Sequence, residues 1–192
     1  YHPEDYNHTG FTCKKYIHYV EDQLKGMMKS KTFPIMRYAE VLLNYVEALN
    51  ELGSNTYTDE ENGITVSRDV DEMVKYFNMV RYRAGLPGLT TDELSSADKM
   101  FDIIVRERMI EFLHENRRFY DVRRWGIYLD TEKEPIVGMN TDGFEDEFFQ
   151  RTTVNHLFAR TRVADKKMVF LPIPRAELRK VPLMDQNPGW DN

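Results

Sequence analysis

The sequence predicts a mainly α-helical protein with irregular loops and a few short strands. Three segments place apolar residues at steps of three and four, which is the period of an amphipathic helix. The stretches between and after these segments follow neither a helical nor a strand period. Hydrophobic side chains make up 41% of the 192 residues, so the chain is expected to bury a core and fold.

The first helix is predicted to follow a polar, aperiodic opening region. Residues 1–31 favour a loop with at most one strand. The helix begins near Pro34 and stops at Gly53, a residue type that commonly ends helices. Its apolar positions are Tyr38, Val41, Leu42, Tyr45, Leu49 and Leu52. Asn62-Gly63 lies between β-favouring residues and predicts a small hairpin before the next helix.

The second helix opens with Asp69 and Glu72, a possible capping pair, and ends at Gly85. Its apolar positions are Val70, Met73, Val74, Phe77, Val80 and Ala84. Together the two helices resemble one helix-turn-helix unit of a tetratricopeptide-like array. The apolar faces of such a unit need neighbouring units to become fully buried.

A third helix, capped by Ser95 or Ser96, is predicted to run to about Arg118. Residues 119–125 favour a short helical turn, and residues 128–160 lose helical periodicity. Residues 168–171 favour a brief strand, residues 174–179 a short helix, and residues 187–189 a terminal turn.

Charge and composition exclude several classes of partner. With 26 basic and 32 acidic side chains the net charge is −6, which argues against a nucleic-acid partner. Cys13 is the only cysteine, so no internal disulfide forms, and an ordinary buried thiol is expected. No apolar run is long enough for a membrane-spanning helix, and residues 1–10 do not resemble a signal peptide.

Two groups of residues contain side-chain types that can ligate metals. His2, Glu4, Asp5 and His8 form one group, and Asp142 with the acidic residues 145–147 forms the other. Neither spacing fits a recognised metal loop, so solvated loops are expected and no metal or cofactor is predicted. No motif for a catalytic nucleophile, a metalloprotease helix or a phosphate loop is present, which favours a protein that is not an enzyme.

Several segments, in order and spacing, carry a family resemblance. They are residues 34–43 with 47–50, residues 78–87, Glu107-Arg108 with Glu111-Phe112, residues 117–126, residues 171–174, and Gln186-Asn187-Pro188-Gly189-Trp190. This series resembles the C-terminal signature of the SusD/RagB family of outer-membrane nutrient-binding lipoproteins from Bacteroidetes-type bacteria. The resemblance implies a tetratricopeptide-like helical SusD fold.

The resemblance also implies a place in a larger protein. Residues 1–192 would form its C-terminal portion, and the signal peptide, the lipid anchor and the first helical repeats would lie upstream and outside this chain. The whole protein would be anchored by lipid in the outer membrane and face the cell surface. It would bind an oligosaccharide or polysaccharide and deliver it, without bond cleavage, to a SusC-like TonB-dependent transporter.

Two alternatives to a glycan-binding role remain open. Some family members are associated with peptides, and aromatic residues serve both kinds of ligand. A helical protein-interaction module, which would hold a partner on its tetratricopeptide-like unit, is the alternative from another class.

Most residues of the family motifs are interpreted as scaffold. Arginine and carboxylate side chains are expected to tie helix ends together through ion pairs rather than to bind ligand; they are Arg37, Glu40, Glu107, Arg108, Glu111, Arg118, Asp121 and Arg124. Glu107 and Glu111 could also suggest a glycosidase acid and base. Residues four apart lie along one helix surface, however, whereas glycosidase carboxylates face each other across a cleft.

Exposed aromatic rings are the candidate ligand contacts, because the C–H faces of sugar rings pack on flat aromatic surfaces. Loops present such rings to ligands. Tyr57 in the predicted hairpin and Tyr128 and Phe144 in the irregular region are therefore the predicted binding residues.

Overall fold

The computed structural model describes residues 7–154 and 162–190. The helices and strands, in chain order, are α1 (Tyr38–Glu51), β1 (Thr56–Asp59), β2 (Ile64–Ser67), α2 (Val70–Arg83), α3 (Ala97–Glu111), α4 (Arg117–Arg124), α5 (Tyr128–Thr131), β3 (Val137–Met139), β4 (Arg151–Thr153) and α6 (Arg175–Lys180). Short 3₁₀ helices cover Gln23–Lys25, Glu145–Glu147 and Lys166–Val169. The prediction of a mainly α-helical fold with loops and few short strands is confirmed.

The chain divides into two compact units. One consists of residues 18–118, and the other consists of the described residues on either side of that range. The opening loop agrees with its prediction, since residues 7–31 hold only the first 3₁₀ helix and an isolated bridge between Asp22 and Met27.

The core of the first unit is formed where α1 packs against α2 and α3. Its fully or nearly fully buried apolar side chains are Leu43, Val46 and Leu49 from α1, Met73, Phe77 and Val80 from α2, Leu94 from the loop between α2 and α3, and Met100 and Ile104 from α3. The predicted apolar face of α1 is partly wrong, because Tyr38, Val41 and Tyr45 are exposed. Apolar side chains surround much of α1, so periodicity alone did not show which side is buried.

Helix α1 begins at Tyr38 rather than near Pro34 and has no side-chain cap. The predicted starts of α2 and α3 agree with the observed ones because each cap is a local hydrogen bond. The side chain of Asp69 accepts a hydrogen bond from the backbone N–H of Glu72 at 3.0 Å and caps α2. The Ser96 hydroxyl accepts one from the N–H of Lys99 at 3.4 Å and caps α3. Each cap satisfies a backbone donor that the first helical turn would otherwise leave without a partner.

The predicted hairpin between α1 and α2 is also present. Strands β1 and β2 pair antiparallel, with Tyr57 opposite Val66 and Asp59 opposite Ile64. Gly63 in the turn has a φ of +66°, which glycine adopts without steric cost.

The third helix ends earlier than predicted. Helix α3 stops at Glu111, and α4 begins separately at Arg117. Between them His114 and Asn116 both have a φ of 61°, in the left-handed region. Such residues cannot continue a right-handed helix, and the apolar pattern did not reveal this interruption.

The second unit contains a small sheet in the region that lacked periodicity. Strands β3 and β4 pair antiparallel, with Val137 opposite Thr153. The carbonyl oxygen of Thr9 accepts a hydrogen bond from the N–H of Met139 at 2.9 Å. Gly138 allows this close approach, because a Cβ there would lie 2.7 Å from the same oxygen.

Near the end of the chain one prediction is wrong and one is confirmed. The expected strand at residues 168–171 is instead the 3₁₀ helix Lys166–Val169, which Asp165 caps by accepting from the N–H of Lys167 at 3.1 Å. A local cap outweighed the β-favouring side chains, which is the usual outcome when no neighbouring strand is available. The short helix predicted for residues 174–179 is present as α6, with Pro174 at its N-cap position.

Among the residues that the structure describes, no helix combines the length and the apolar character that crossing a membrane requires.

Candidate functional site

A network of arginines and carboxylates braces the first unit. Glu107 accepts a hydrogen bond from Arg81 at 2.9 Å, and both side chains are mostly buried. Glu111 accepts from Arg37 at 2.7 Å and from Arg83 at 2.5 Å. These contacts tie α3 to α2 and to the residue that precedes α1.

Arg37 is the most highly connected member of this network. Its Nε and Nη2 donate to the two carboxylate oxygens of Glu115 at 2.9 and 2.8 Å, and its Nη2 also donates to the backbone carbonyl of Glu111 at 3.0 Å. The guanidinium carbon lies 5.3 Å from the centroid of the Phe112 ring, within cation–π range. The hydrogen bonds that Arg37 donates to Glu115, and next those that it donates to Glu111, raise the pKa of Arg37 above its ordinary value.

Two further motif residues have partners that the sequence did not predict. Glu40 pairs with Arg117 at 2.7 Å rather than with Arg37. Arg108 is almost fully buried and donates to Oδ1 of Asn44 at 2.7 Å. It also lies 3.8 Å from a carboxylate oxygen of Glu47. Which side chains pair with each other depends on contacts between segments that are distant in the sequence, and residue spacing carries no information about such contacts.

In α4 the motif residues have local contacts. Asp121 is buried and accepts a hydrogen bond from Nε of Arg124 at 2.9 Å. Arg118 lies in the first turn of the helix and is half-buried. A scaffold role for the eight motif residues remains a prediction, and stability measurements test it.

The arrangement of Glu107 and Glu111 does not resemble a glycosidase acid and base. They lie one turn apart on the same helix, and each is hydrogen-bonded to arginine side chains. A glycosidase needs one carboxyl that exchanges a proton with the leaving group and a second on the other side of the substrate. The geometry therefore favours ion-paired structural carboxylates.

The terminal motif at residues 186–190 closes onto the segment before α6. Both ends of the Gln186 amide bind the backbone of Ile173: its Nε2 donates to the carbonyl at 2.9 Å and its Oε1 accepts from the N–H at 2.7 Å. Asn187 donates to the carbonyl of Leu171 at 2.6 Å. The indole N–H of Trp190 donates to the carbonyls of Lys167 and Phe170 at 2.9 and 3.0 Å. Trp190 is thus engaged in backbone contacts.

The three predicted ligand contacts have different surroundings. Tyr57 lies on β1 with 62% of its surface exposed, and Phe144 lies in a loop with 83% exposed. The expectation that Tyr128 is presented by a loop is wrong, because it begins α5 and is only 8% exposed. Arg123 covers its ring at 4.3 Å, and its hydroxyl contacts the sulfur of Met168 at 3.7 Å.

A feature that the sequence did not predict is a pocket of about 300 Å³ between α1 and α2. It is lined by Arg37, Tyr38, Ala39, Leu42, Met79, Val80 and Arg83. The signal in the sequence was the aromatic and apolar side chains of these two helix faces, but the face of α1 is predicted to be buried and is instead exposed.

No group of three or more potential metal ligands occurs within residues 7–154 and 162–190. His2, Glu4 and Asp5 of the first rejected group lie outside the described residues. Cys13 is half-buried and is not in a disulfide.

The fold and the network define a mainly helical protein braced by ion pairs. Comparison with known proteins identifies its family: the family model described as "SusD family" matches residues 2–190. A SusD-like protein from Formosa agariphila is 32% identical over 171 residues, which cover 86% of this chain and 27% of that protein. The chain therefore belongs to the SusD family.

Solved structures agree with this assignment. A SusD-like protein from Bacteroides fragilis superposes with a TM-score of 0.61 at 33% identity and covers 83% of this chain and 26% of that one. A SusD superfamily protein from Bacteroides vulgatus gives a TM-score of 0.53 at 27% identity, with coverages of 86% and 29%. The chain thus spans between a quarter and a third of the length of each of these relatives.

Proposed function

We propose that this chain is the C-terminal part of a cell-surface subunit that captures a glycan. In this proposal the whole protein is anchored by lipid in the outer membrane and delivers the glycan to a SusC-like TonB-dependent transporter. It acts by binding and transfer, without cleaving a bond. Membership of the SusD family supports the proposal at the level of the whole protein.

The observation that carries the proposal for this chain is the exposed ring of Tyr57. It projects from a two-stranded hairpin whose backbone is fixed by cross-strand pairing, so little conformational entropy is lost when a ligand packs on it. Val66, directly opposite in the register, widens the apolar surface. Phe144 offers a second exposed ring in the other unit.

Isothermal titration calorimetry of the 192-residue chain tests this proposal. The panel contains amylopectin, xylan, laminarin and a tryptic digest of casein. Binding of one of the polysaccharides is the expected result. Tyr57→Ala should weaken that binding about tenfold, the loss typical of an aromatic residue that anchors an interface.

Tyr120→Ala is the matched control, because Tyr120 is as exposed as Tyr57 but lies on a helix outside the proposed surface. Equal losses for the two variants would contradict a role for the hairpin. Binding of the casein peptides alone would replace the glycan with a peptide ligand. Absence of any binding would leave the glycan proposal without support in this chain.

Delivery to a transporter needs a separate experiment. The longer protein and a SusC-like transporter from the same organism would be co-expressed and cross-linked on intact cells. Formation of a specific cross-linked pair, together with digestion of the binding subunit by external protease, is the expected result. A subunit that resists external protease would contradict the surface location.

A further inference from the structure

The turn of the β1–β2 hairpin contains the only Asn-Gly pair of the sequence, Asn62-Gly63. The turn covers residues 60–63, and both members of the pair are exposed. An asparagine that precedes glycine is chemically the least protected asparagine of a chain, because the following residue has no side chain to shield its backbone nitrogen. This reactivity belongs to the peptide itself and does not depend on a ligand.

The reaction expected of such a pair is deamidation. The backbone nitrogen of Gly63, once its proton has passed to a base in the solvent, attacks Cγ of Asn62 and forms a new C–N bond. The bond between Cγ and Nδ2 then breaks, and the side-chain nitrogen takes up a proton and leaves as ammonia. Water opens the resulting succinimide ring at either carbonyl, which gives aspartate or isoaspartate. The net change consumes water and releases ammonia.

The surroundings of Gly63 leave room for this ring closure. Gly63 has a φ of +66°, and among the described residues, its two chain neighbours aside, no heavy atom lies within 4 Å of the position that a Cβ would take. The strand pairing ends at Asp59 and Ile64, so residues 60–63 lie outside the ladder. The turn can therefore change shape without separating the paired strands.

Asp59 restrains the reactive side chain. Its Oδ2 accepts a hydrogen bond from Nδ2 of Asn62 at 2.7 Å. Its Oδ1 accepts from the backbone N–H groups of Glu61 and Asn62 at 3.1 and 3.3 Å. The hydrogen bond from the Asn62 amide, and next that from the Asn62 backbone, lower the pKa of Asp59 below its ordinary value. Asp59 is therefore ionised at neutral pH.

Two physical effects make Asp59 slow the reaction. The hydrogen bond to Nδ2 limits rotation of the Asn62 side chain, and attack requires the rotation that brings Cγ in line with the Gly63 nitrogen. The attack also passes through an anionic nucleophile and an anionic tetrahedral intermediate. A carboxylate next to the reacting amide repels both, so it raises their free energy relative to the intact asparagine.

We propose that Asn62 is a deamidation site and that the Asp59 carboxylate sets the rate of its conversion to aspartate or isoaspartate. The conversion replaces a hydrogen-bond donor with a second carboxylate beside Asp59, and like charges at this distance repel each other. The isoaspartate product also adds a methylene group to the backbone of the turn. The modified turn therefore loses the contact that holds Asn62.

The sequence supplies an internal control for the test. Trypsin cleaves after Arg37 and Arg68, so one peptide, residues 38–68, contains four asparagines. They are Asn44, Asn50, Asn55 and Asn62, and only the last precedes glycine. The 192-residue chain is incubated in mildly alkaline buffer, digested and followed by tandem mass spectrometry. Labelling by an isoaspartate methyltransferase identifies the isoaspartate product. Modification at Asn62 alone is the expected result.

Three variants test the role assigned to Asp59. Asp59→Ala should speed modification of Asn62 severalfold. Thr65→Val is the matched control, because it removes the contact of 3.3 Å between the hydroxyls of Thr58 and Thr65 but leaves Asp59 in place. It should keep the wild-type rate. If Asp59→Ala does not fold, Asp59→Asn, which retains an oxygen acceptor but has no charge, should also show faster modification.

Each contrary outcome overturns a stated part of the proposal. An unmodified Asn62, or modification at Asn55 to the same extent, would show that the Asn-Gly turn is not a special site. Equal rates for Asp59→Ala and the wild type, or equal acceleration by Thr65→Val, would remove Asp59 as the residue that sets the rate. The same peptide is followed in the longer protein, and protection of Asn62 there would overturn the assignment for the whole protein.

Discussion

Replacing Arg37 with alanine should destabilise the first unit more than any other single arginine change on its surface. The guanidinium binds both oxygens of the Glu115 carboxylate, one oxygen of the Glu111 carboxylate and the Glu111 backbone carbonyl. It also lies over the Phe112 ring. These contacts join the start of α1 to the end of α3.

The magnitude follows from burial. The side chain of Arg37 is 24% exposed, and that of Glu115 is 5% exposed. Removing one partner of a buried ion pair costs about 3–5 kcal/mol, since the other charge loses its compensation. Because Arg37 retains some contact with solvent, the lower end of this range applies, and we expect a loss of about 3 kcal/mol in the free energy of unfolding.

Arg83→Ala is the matched control. Arg83 binds the same Glu111 carboxylate, but its side chain is 57% exposed. Exposed ion pairs contribute roughly 0–1 kcal/mol, so this variant should unfold close to the wild-type chain. Arg37→Lys keeps the positive charge and loses the two-pronged geometry, so it should recover only part of the stability.

Urea unfolding followed by far-ultraviolet circular dichroism measures the effect, because α1, α2 and α3 supply most of the helical signal. A loss of about 3 kcal/mol lowers the midpoint on the order of 1–2 M urea at a slope typical of small proteins. Equal midpoints for Arg37→Ala and Arg83→Ala would refute the reasoning, since burial would then have no influence on the cost.

The remaining predictions concern one titration and two parts of the terminal motif. The pKa of Tyr45, raised from 10.0 to about 12 by Glu72, means that the folded state holds this proton more tightly than the unfolded state. The resulting stability is intact below pH 10 and is lost as pH rises towards 12. Tyrosinate absorbance of the wild type minus Tyr45→Phe should show one phenol titrating near 12, and Glu72→Gln should lower that value. Gln186→Ala removes two hydrogen bonds to the Ile173 backbone and should cost about 1–3 kcal/mol in thermal unfolding. An unchanged transition would show that these two bonds do not stabilise the fold. Gly189→Ala should lower the melting temperature more than Gly126→Ala, because both have positive φ but only at Gly189 would a Cβ meet a side chain, at 2.8 Å.

The starts of α2 and α3 and the hairpin before α2 were predictable because they depend on local sequence. Asp69 and Ser96 form caps with N–H groups three residues ahead, and Asn62-Gly63 forms the turn of a two-stranded hairpin. Such contacts involve neighbours in the chain, so spacing alone identifies them. Ion pairs among the motif arginines and carboxylates were also expected, and Arg37 and Glu40 do form them, but their partners were not predicted.

The parts that were not predicted depend on distant contacts or on single backbone angles. Arg37 and Glu115 are separated by 78 positions, and no periodicity relates them. His114 adopts a left-handed conformation inside the range predicted as the third helix, and a residue pattern carries no signal for a single backbone angle. Tyr128 lies in a segment without periodicity, where a loop was expected, and contacts with Arg123 and Met168, which spacing does not reveal, surround its side chain.

The distribution of charge explains why ligand recognition on this chain is assigned to aromatic rings. Glu107, Glu111 and Glu115 recur at intervals of four residues, and each is hydrogen-bonded to arginine. A carboxylate that is bound by a guanidinium has fewer oxygen lone pairs left for ligand hydroxyls. If a neutral hydroxyl displaced the guanidinium, the free energy lost with the ion pair would exceed the free energy gained from the new hydrogen bond. Glu72 differs, because its carboxylate accepts a hydrogen bond from the Tyr45 hydroxyl while its backbone N–H donates to Asp69. Glu72→Gln should therefore weaken the affinity for ligand. Glu107→Gln should instead lower the free energy of unfolding.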